Sequence, residues 1–246
     1  MKKNYKLIIG YDGTRYLGWE HQPGKDTIQG KIEDVVSHLD QSGAEVIGAG
    51  RTDAGVHAQG MTAHLKIDVD MTSTQLRDYL NHYLPDDIVI KEVREAAERF
   101  HARYNATGKT YCYTCFDGIT KPLFDRKYVW TLEQKLDIER MKTAAAYLIG
   151  DHDFSSFCKL PQKNKSNVRT IDQIEIIRKG DYVSLSFHGD GFLRNMVRIL
   201  TGTLVSVGKG EIEPEKLGDI LEAKEREEAG VTAPAKGLCL MSVDYN

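Results

Sequence analysis

The chain has 246 residues, 41% of them hydrophobic, and 33 Lys and Arg against 36 Asp and Glu for a net charge of -3. That content supports either one large buried core or two smaller ones, and no apolar run approaches the roughly 20 residues that span a bilayer. The charge balance argues against a strongly basic nucleic-acid binder. Local basic patches stay compatible with one, because patches rather than totals meet phosphates.

Residues 5–10 predict a strand, followed by the turn Tyr11-Asp12-Gly13-Thr14. Thr27 suits a helix N-cap. Ile28, Ile32, Val35, Val36 and Leu39 follow at helical spacing as one apolar stripe, and Gly43 ends that helix. Residues 44–47 predict a strand that Gly48 and Gly50 break, and residues 60–69 a further strand. Thr74 is placed to cap a second helix, with Leu76, Tyr79, Leu80 and Tyr83 on one face and Pro85 as its stop. Residues 88–93 read as a strand again.

The second half repeats this order loosely. A strand over 109–116 comes first, then a helix over 137–148 ended by Gly150, and strands over 168–178 and 182–188. A helix from 192 to about 207, a short helix opened by Pro214 and a final strand over 238–243 complete the chain. His152 and Asp153, after Gly150, read as a structural turn. The expected fold is α+β: two similar halves, residues 1–105 and 106–246, each a mostly antiparallel or mixed sheet backed by helices. The active-site cleft is expected between them.

Four cysteines are present, and Cys112 and Cys115 form a C-x-x-C. On a strand, residues three apart point to opposite faces, so the two sulfurs share neither a metal nor a disulfide. With only Leu7-Ile8-Ile9 after Lys2 and Lys3, no signal-peptide core is expected, and a cytoplasmic protein with reduced thiols is. Lys159, Lys163, Lys165 and Arg169 form a basic stretch without an acid, while residues 211–228 carry eight acids against three bases. Each run is either a solvated face or one side of a surface with basic and acidic sides apart.

The most informative segment is Gly50-Arg51-Thr52-Asp53-Ala54-Gly55-Val56-His57-Ala58. It sets one carboxylate, Asp53, in a glycine-bounded turn at a strand end, where reactive groups are often presented. An Asx-turn, in which the carboxylate caps its own backbone, is the plainer alternative. His57 is expected to support the turn. No histidine spacing matches a metal motif, and Gly48-Ala49-Gly50 lacks the third glycine of a dinucleotide loop.

This string resembles the catalytic motif of the TruA family of tRNA pseudouridine synthases. Further matches follow in the family's order: Tyr11-Asp12-Gly13-Thr14 with Gly18-Trp19, Leu84-Pro85-Asp86-Asp87-Ile88, Phe100-His101-Ala102-Arg103 with Lys109-Thr110-Tyr111-Cys112-Tyr113, Gly150-Asp151-His152-Asp153-Phe154, Met196-Val197-Arg198, and Thr232 to Leu238. Two positions depart from the pattern: Glu20 and Met61 stand where glutamine is common, with Gln59 two places early.

The resemblance implies isomerisation of uridine to pseudouridine at positions 38 to 40 of the tRNA anticodon stem-loop by a homodimer. It implies no metal, no small-molecule cofactor and no membrane. Asp53 is implied as nucleophile, attacking either ribose C1′ or uracil C6. Arg198 is its implied counter-charge, offsetting the desolvation that burial imposes. Arg194 and Arg198 are expected on one helical face, four apart. Tyr111 is implied to stack on the flipped base, Leu238 to lie on the base's other side, and Arg51 to displace the base or bind its phosphate. Tyr111 and Tyr113 share a strand face, and core aromatics are the alternative for both. A non-catalytic RNA-binding protein on the same scaffold is the competing function. A carboxylate hydrolase is more distant, since no partner acid is in view.

Overall fold

The computed structural model describes residues 2–40, 43–160 and 166–246. The chain divides into two compact units, Met1–Thr107 with Cys239–Asn246, and Gly108–Leu238.

In the first unit, β1 (Lys3–Tyr11) buries Tyr5, Leu7, Ile9 and Tyr11, the period-2 pattern of a strand with one face on a core. Thr27 caps α1 (Ile28–Ser37) by accepting from the Gly30 N–H, and Ile28, Ile32, Val35 and Val36 are buried as the stripe requires. Leu39 lies beyond the helix end. β2 is only Ile47–Gly48, shorter than residues 44–47 suggest. The Val46 side chain is fully buried, but its N–H donates to the Glu33 carboxylate instead of to a strand.

β3 (His57–Ile67) pairs antiparallel with β1 and with β2. α2 (Ser73–Tyr83) starts before the expected cap. Thr72, not Thr74, forms a capping box with Gln75, because the glutamine three residues on returns a bond to the cap. Of its four apolar positions, Leu76 and Leu80 are buried while Tyr83 is exposed. β4 (Ile88–Ala96) pairs antiparallel with β1. Asn81 ties α2 to β4 by exchanging two hydrogen bonds with the Ile90 backbone, 2.9 and 2.7 Å.

The second unit opens on β5 (Ala106–Phe116), with the two-residue β6 (Trp130–Thr131) parallel to it. Asp137 caps α3 (Ile138–Ala146) through the N–H groups of Glu139 and Arg140. β7 (Gly150–Asp153) corrects the expected turn: His152 and Asp153 pair with Arg169 and Val168 of β8 (Val168–Lys179). β9 (Tyr182–Gly189) pairs antiparallel with β8 and β5 and buries Val183, Leu185 and Phe187 at alternate positions. The order β5-β9-β8-β7 is antiparallel throughout.

α4 (Met196–Gly208) is buried on nearly all sides, as its run of apolar and small residues dictates. It starts four residues later than expected, because Asn195 takes a left-handed conformation, φ 61°, and holds residues 192–195 out of the helix. α5 (Lys216–Ala223) follows Pro214.

The last strand, β10 (Leu238–Tyr245), corrects the assignment of residues 106–246 to one half. Cys239 and Leu240 pair in parallel with His57 and Ala58, so residues 239–246 join the first unit and make its sheet mixed. Cys115 is buried and Cys112 half-buried on opposite faces of β5, and none of the four cysteines is in a disulfide. Burial pushes both thiols up from their ordinary range. No described helix is long and apolar enough to cross a membrane.

Candidate active site

Asp53 lies in the loop between β2 and β3, and backbone bonds hold that loop on both sides. The Trp19 N–H donates to the Thr52 carbonyl (3.1 Å), the Gly55 N–H to the Tyr16 carbonyl (3.3 Å), and the Val56 N–H to the Asp53 carbonyl (3.1 Å). The buried hydroxyls of Tyr11 and Thr52 meet at 2.8 Å. Gly18 is required where the two segments cross. Its φ is +98°, and a Cβ there would sit 2.6 Å from the Thr52 oxygen.

His57 completes the frame. The Gly13 N–H donates to its Nδ1 at 3.0 Å. The same nitrogen lies 3.2 Å from the Asp12 carboxylate. Because a backbone N–H only donates, Nδ1 is the acceptor, and the ring supports the turn. Asp53 itself is half-buried. Arg51 is exposed and ion-paired with Glu20. Met61 is fully buried in β3, so the family-pattern glutamine is replaced there by a core residue, while Gln59 accepts from Lys91 at the surface.

In the second unit, Tyr111 is 9% exposed, and its ring meets Phe192 edge-on at 5.3 Å. Tyr113, two residues on, has a different fate. It is fully buried, its hydroxyl donates to the Pro234 carbonyl at 2.7 Å, and burial pushes its phenol well above the ordinary range. Of the two rings, Tyr113 is a core residue.

Arg198 sits in the first turn of α4. Its Nε donates to the Ala233 carbonyl (2.7 Å), and the Ala233 N–H donates back to the Arg198 carbonyl (3.1 Å). This stitches residues 232–236 to the helix. Gly202 permits the approach, since a Cβ there would lie 1.8 Å from the Val231 oxygen. Arg194 is exposed and precedes the helix, so the expected four-residue spacing on one helical face does not exist. Leu238, at the end of the stitched segment, is buried.

Asp53 and Arg51 thus belong to the first unit, and Tyr111, Arg198 and Leu238 to the second. Among the described residues, no group of three or more His, Cys, Asp or Glu side chains is arranged to hold a metal ion. Of the basic stretch, residues 161–165 lie outside the described residues, and Arg169 donates to the nearby Ser166 and Val168 carbonyls.

The family model for tRNA pseudouridine synthase matches residues 7–105 and 144–246. A Clostridium perfringens protein named tRNA pseudouridine synthase A 2 is 42% identical over 99% of this chain and all of its own length. A Bacillus sp. strain KSM-64 protein named tRNA pseudouridine synthase A is 46% identical over 98% and 99%. A Bacillus cereus strain ZK / E33L protein named tRNA pseudouridine synthase A 2 is 43% identical over the same shares.

The chain belongs to the tRNA pseudouridine synthase family. It is an isomerase that converts uridine to pseudouridine in tRNA.

Proposed function

We propose that the Asp53 carboxylate is the nucleophile of this isomerisation and that its targets are uridines at positions 38 to 40 of the anticodon stem-loop. What carries the reading is a single carboxylate on a loop fixed by backbone bonds from residues 13–19. Such fixing holds a reacting group in place without reorganisation.

The carboxylate attacks C1′ or C6, and the N1–C1′ bond breaks. The base turns and rejoins C1′ through C5. The C5 hydrogen leaves as a proton, N1 gains one, and the carboxylate is released. Atoms and electrons balance without a redox partner.

Arg198 is the counter-charge that offsets the cost of excluding water from the Asp53 carboxylate. Tyr111 stacks on the extruded uracil, with Leu238 on its other side. Arg51 displaces the base or binds its phosphate, which requires it to leave Glu20. The basic residues from Lys159 to Arg169 meet backbone phosphates, which position an RNA without reading it. The enzyme works in the cytoplasm as a homodimer on tRNA.

Because the C5 hydrogen leaves, tritium release from 5-tritiated uridine in tRNA reports turnover. Asp53→Asn should nearly abolish release while tRNA binding persists. A variant keeping more than about a tenth of the wild-type rate, a loss under ~1.4 kcal/mol, rejects the assignment.

A further inference from the structure

The turn after β4 carries a column of rings outside the uridine-handling residues. His64 is buried in β3, and its ring lies 4.6 Å from that of His101. The His101 ring lies 4.2 Å from Tyr104, with planes 31° apart. The column ends on a tyrosine that is 78% exposed.

The turn is built around His101. The N–H groups of Arg103 and Tyr104 both donate to its Nδ1, at 3.2 and 3.3 Å. The His101 N–H donates to the Asn105 side chain (2.7 Å), and the Asn105 N–H returns to the His101 carbonyl (3.0 Å). Below it, the Ala102 N–H donates to His64 Nδ1 at 3.1 Å. Tyr104 is therefore backed on one face by a fixed imidazole, with most of its ring open to solvent. A ring ordered in advance loses little conformational entropy when something stacks on it.

The surroundings say what that is. His101, Arg103 and Tyr104 line a groove of about 430 Å³ that also includes Arg51, two residues before Asp53. Arg51, proposed above to displace the base or bind its phosphate, therefore shares this groove with Tyr104. The carboxylates of Glu20, Glu33 and Glu45 also line it. Glu20 holds Arg51, and Glu33 accepts from Val46, Gln29 and His21. Carboxylates repel a phosphate but tolerate a neutral base. Arg103 is exposed at the edge, and its guanidinium makes no ion pair or side-chain hydrogen bond among the described residues.

We infer that Tyr104 is a stacking platform for a second base of the tRNA, one that is not isomerised, with Arg103 taking an adjacent phosphate. Stacking of this kind tolerates any base, since each has a π face. The inference rests on the tRNA substrate.

The test measures binding of a full-length unmodified tRNA transcript to the whole enzyme at several salt concentrations, with each variant's Tm and oligomeric state recorded. Tyr104→Ala should weaken binding by about 5- to 50-fold with an unchanged salt slope, because a neutral contact releases no counterions. Tyr104→Phe keeps the ring and should bind within about twofold of wild type. Arg103→Ala should make the slope shallower by about one ion. Wild-type affinity in Tyr104→Ala, or an equal loss in Tyr104→Phe, overturns the platform. So does a loss that accompanies a changed oligomeric state, which would make the turn a protein interface. A wild-type enzyme that does not bind the transcript would instead refute the tRNA reading on which the platform rests.

Discussion

In the first unit, the N–H groups of Gly13, Ala102, Arg103 and Tyr104 donate to imidazole nitrogens of His57, His64 and His101. In the second, the carbonyls of Ala233, Pro234 and Arg126 accept from Arg198, Tyr113 and Lys236. Both arrangements hold loops that carry site residues, but with opposite polarity. An imidazole accepts only while neutral, and its ordinary pKa lies near neutrality. Arginine, tyrosine and lysine keep their protons well above it. Acid strong enough to protonate His64 should therefore loosen the turn it holds and spare the anchors of the second unit.

The largest effect expected concerns the second unit's anchor. Arg198→Met keeps the stem but removes both the charge and the bond to Ala233. It should lower kcat/KM in the tritium assay by roughly 100- to 1000-fold, about 2.7–4 kcal/mol. Arg194→Met, outside the helix, should stay within a few fold. Equal losses in the two variants would mean that general positive charge, not the stitched geometry, matters.

Next is the acid response. Burial pulls His64 down from 6.5 to about 4, and the neighbouring His101 adds to this. The folded state thus binds fewer protons than the unfolded one between those values. Stability is full above pH 6.5 and falls as pH drops toward 4, by at most roughly 3 kcal/mol. Urea midpoints from pH 7 to 4.5 should show this slope in the wild type and a flatter one in His64→Asn. Parallel curves would remove His64 from the account.

The smallest effect is Tyr113→Phe, which strips the hydroxyl from the Pro234 carbonyl. It should cost about 1–2 kcal/mol in urea unfolding, much the same at pH 7 and pH 5. A pH-dependent cost would blur the contrast between the units.

Much of this was legible in the chain because it is local. The Asp53 motif is nine consecutive residues, Gly50 to Ala58, and its turn chemistry is written in adjacent glycines. The alternation in β1 and β9 and the stripe of α1 likewise need only neighbouring residues. What stayed hidden depends on distant backbone. Asparagine tolerates the left-handed region, but nothing beside Asn195 shows that it adopts it, so helical spacing alone carries α4 back to residue 192 while the structure leaves Arg194 outside. The return of β10 to β3 is a pairing across about 180 residues that no short pattern encodes. The ring column escaped for the same reason. Phe100-His101-Ala102-Arg103 was visible as a motif, but His101 acts through backbone N–H groups, which carry no residue identity. Tyr113 was separable from Tyr111 only once the Pro234 carbonyl was in place.

The most direct test of the central claim is to map pseudouridine, base by base, in tRNA from cells lacking this gene, with the wild-type or the Asp53→Asn protein restored. The account predicts that pseudouridine at positions 38 to 40 disappears on deletion and returns only with the wild type. Its return with Asp53→Asn, or its persistence in the deletion strain, would contradict it.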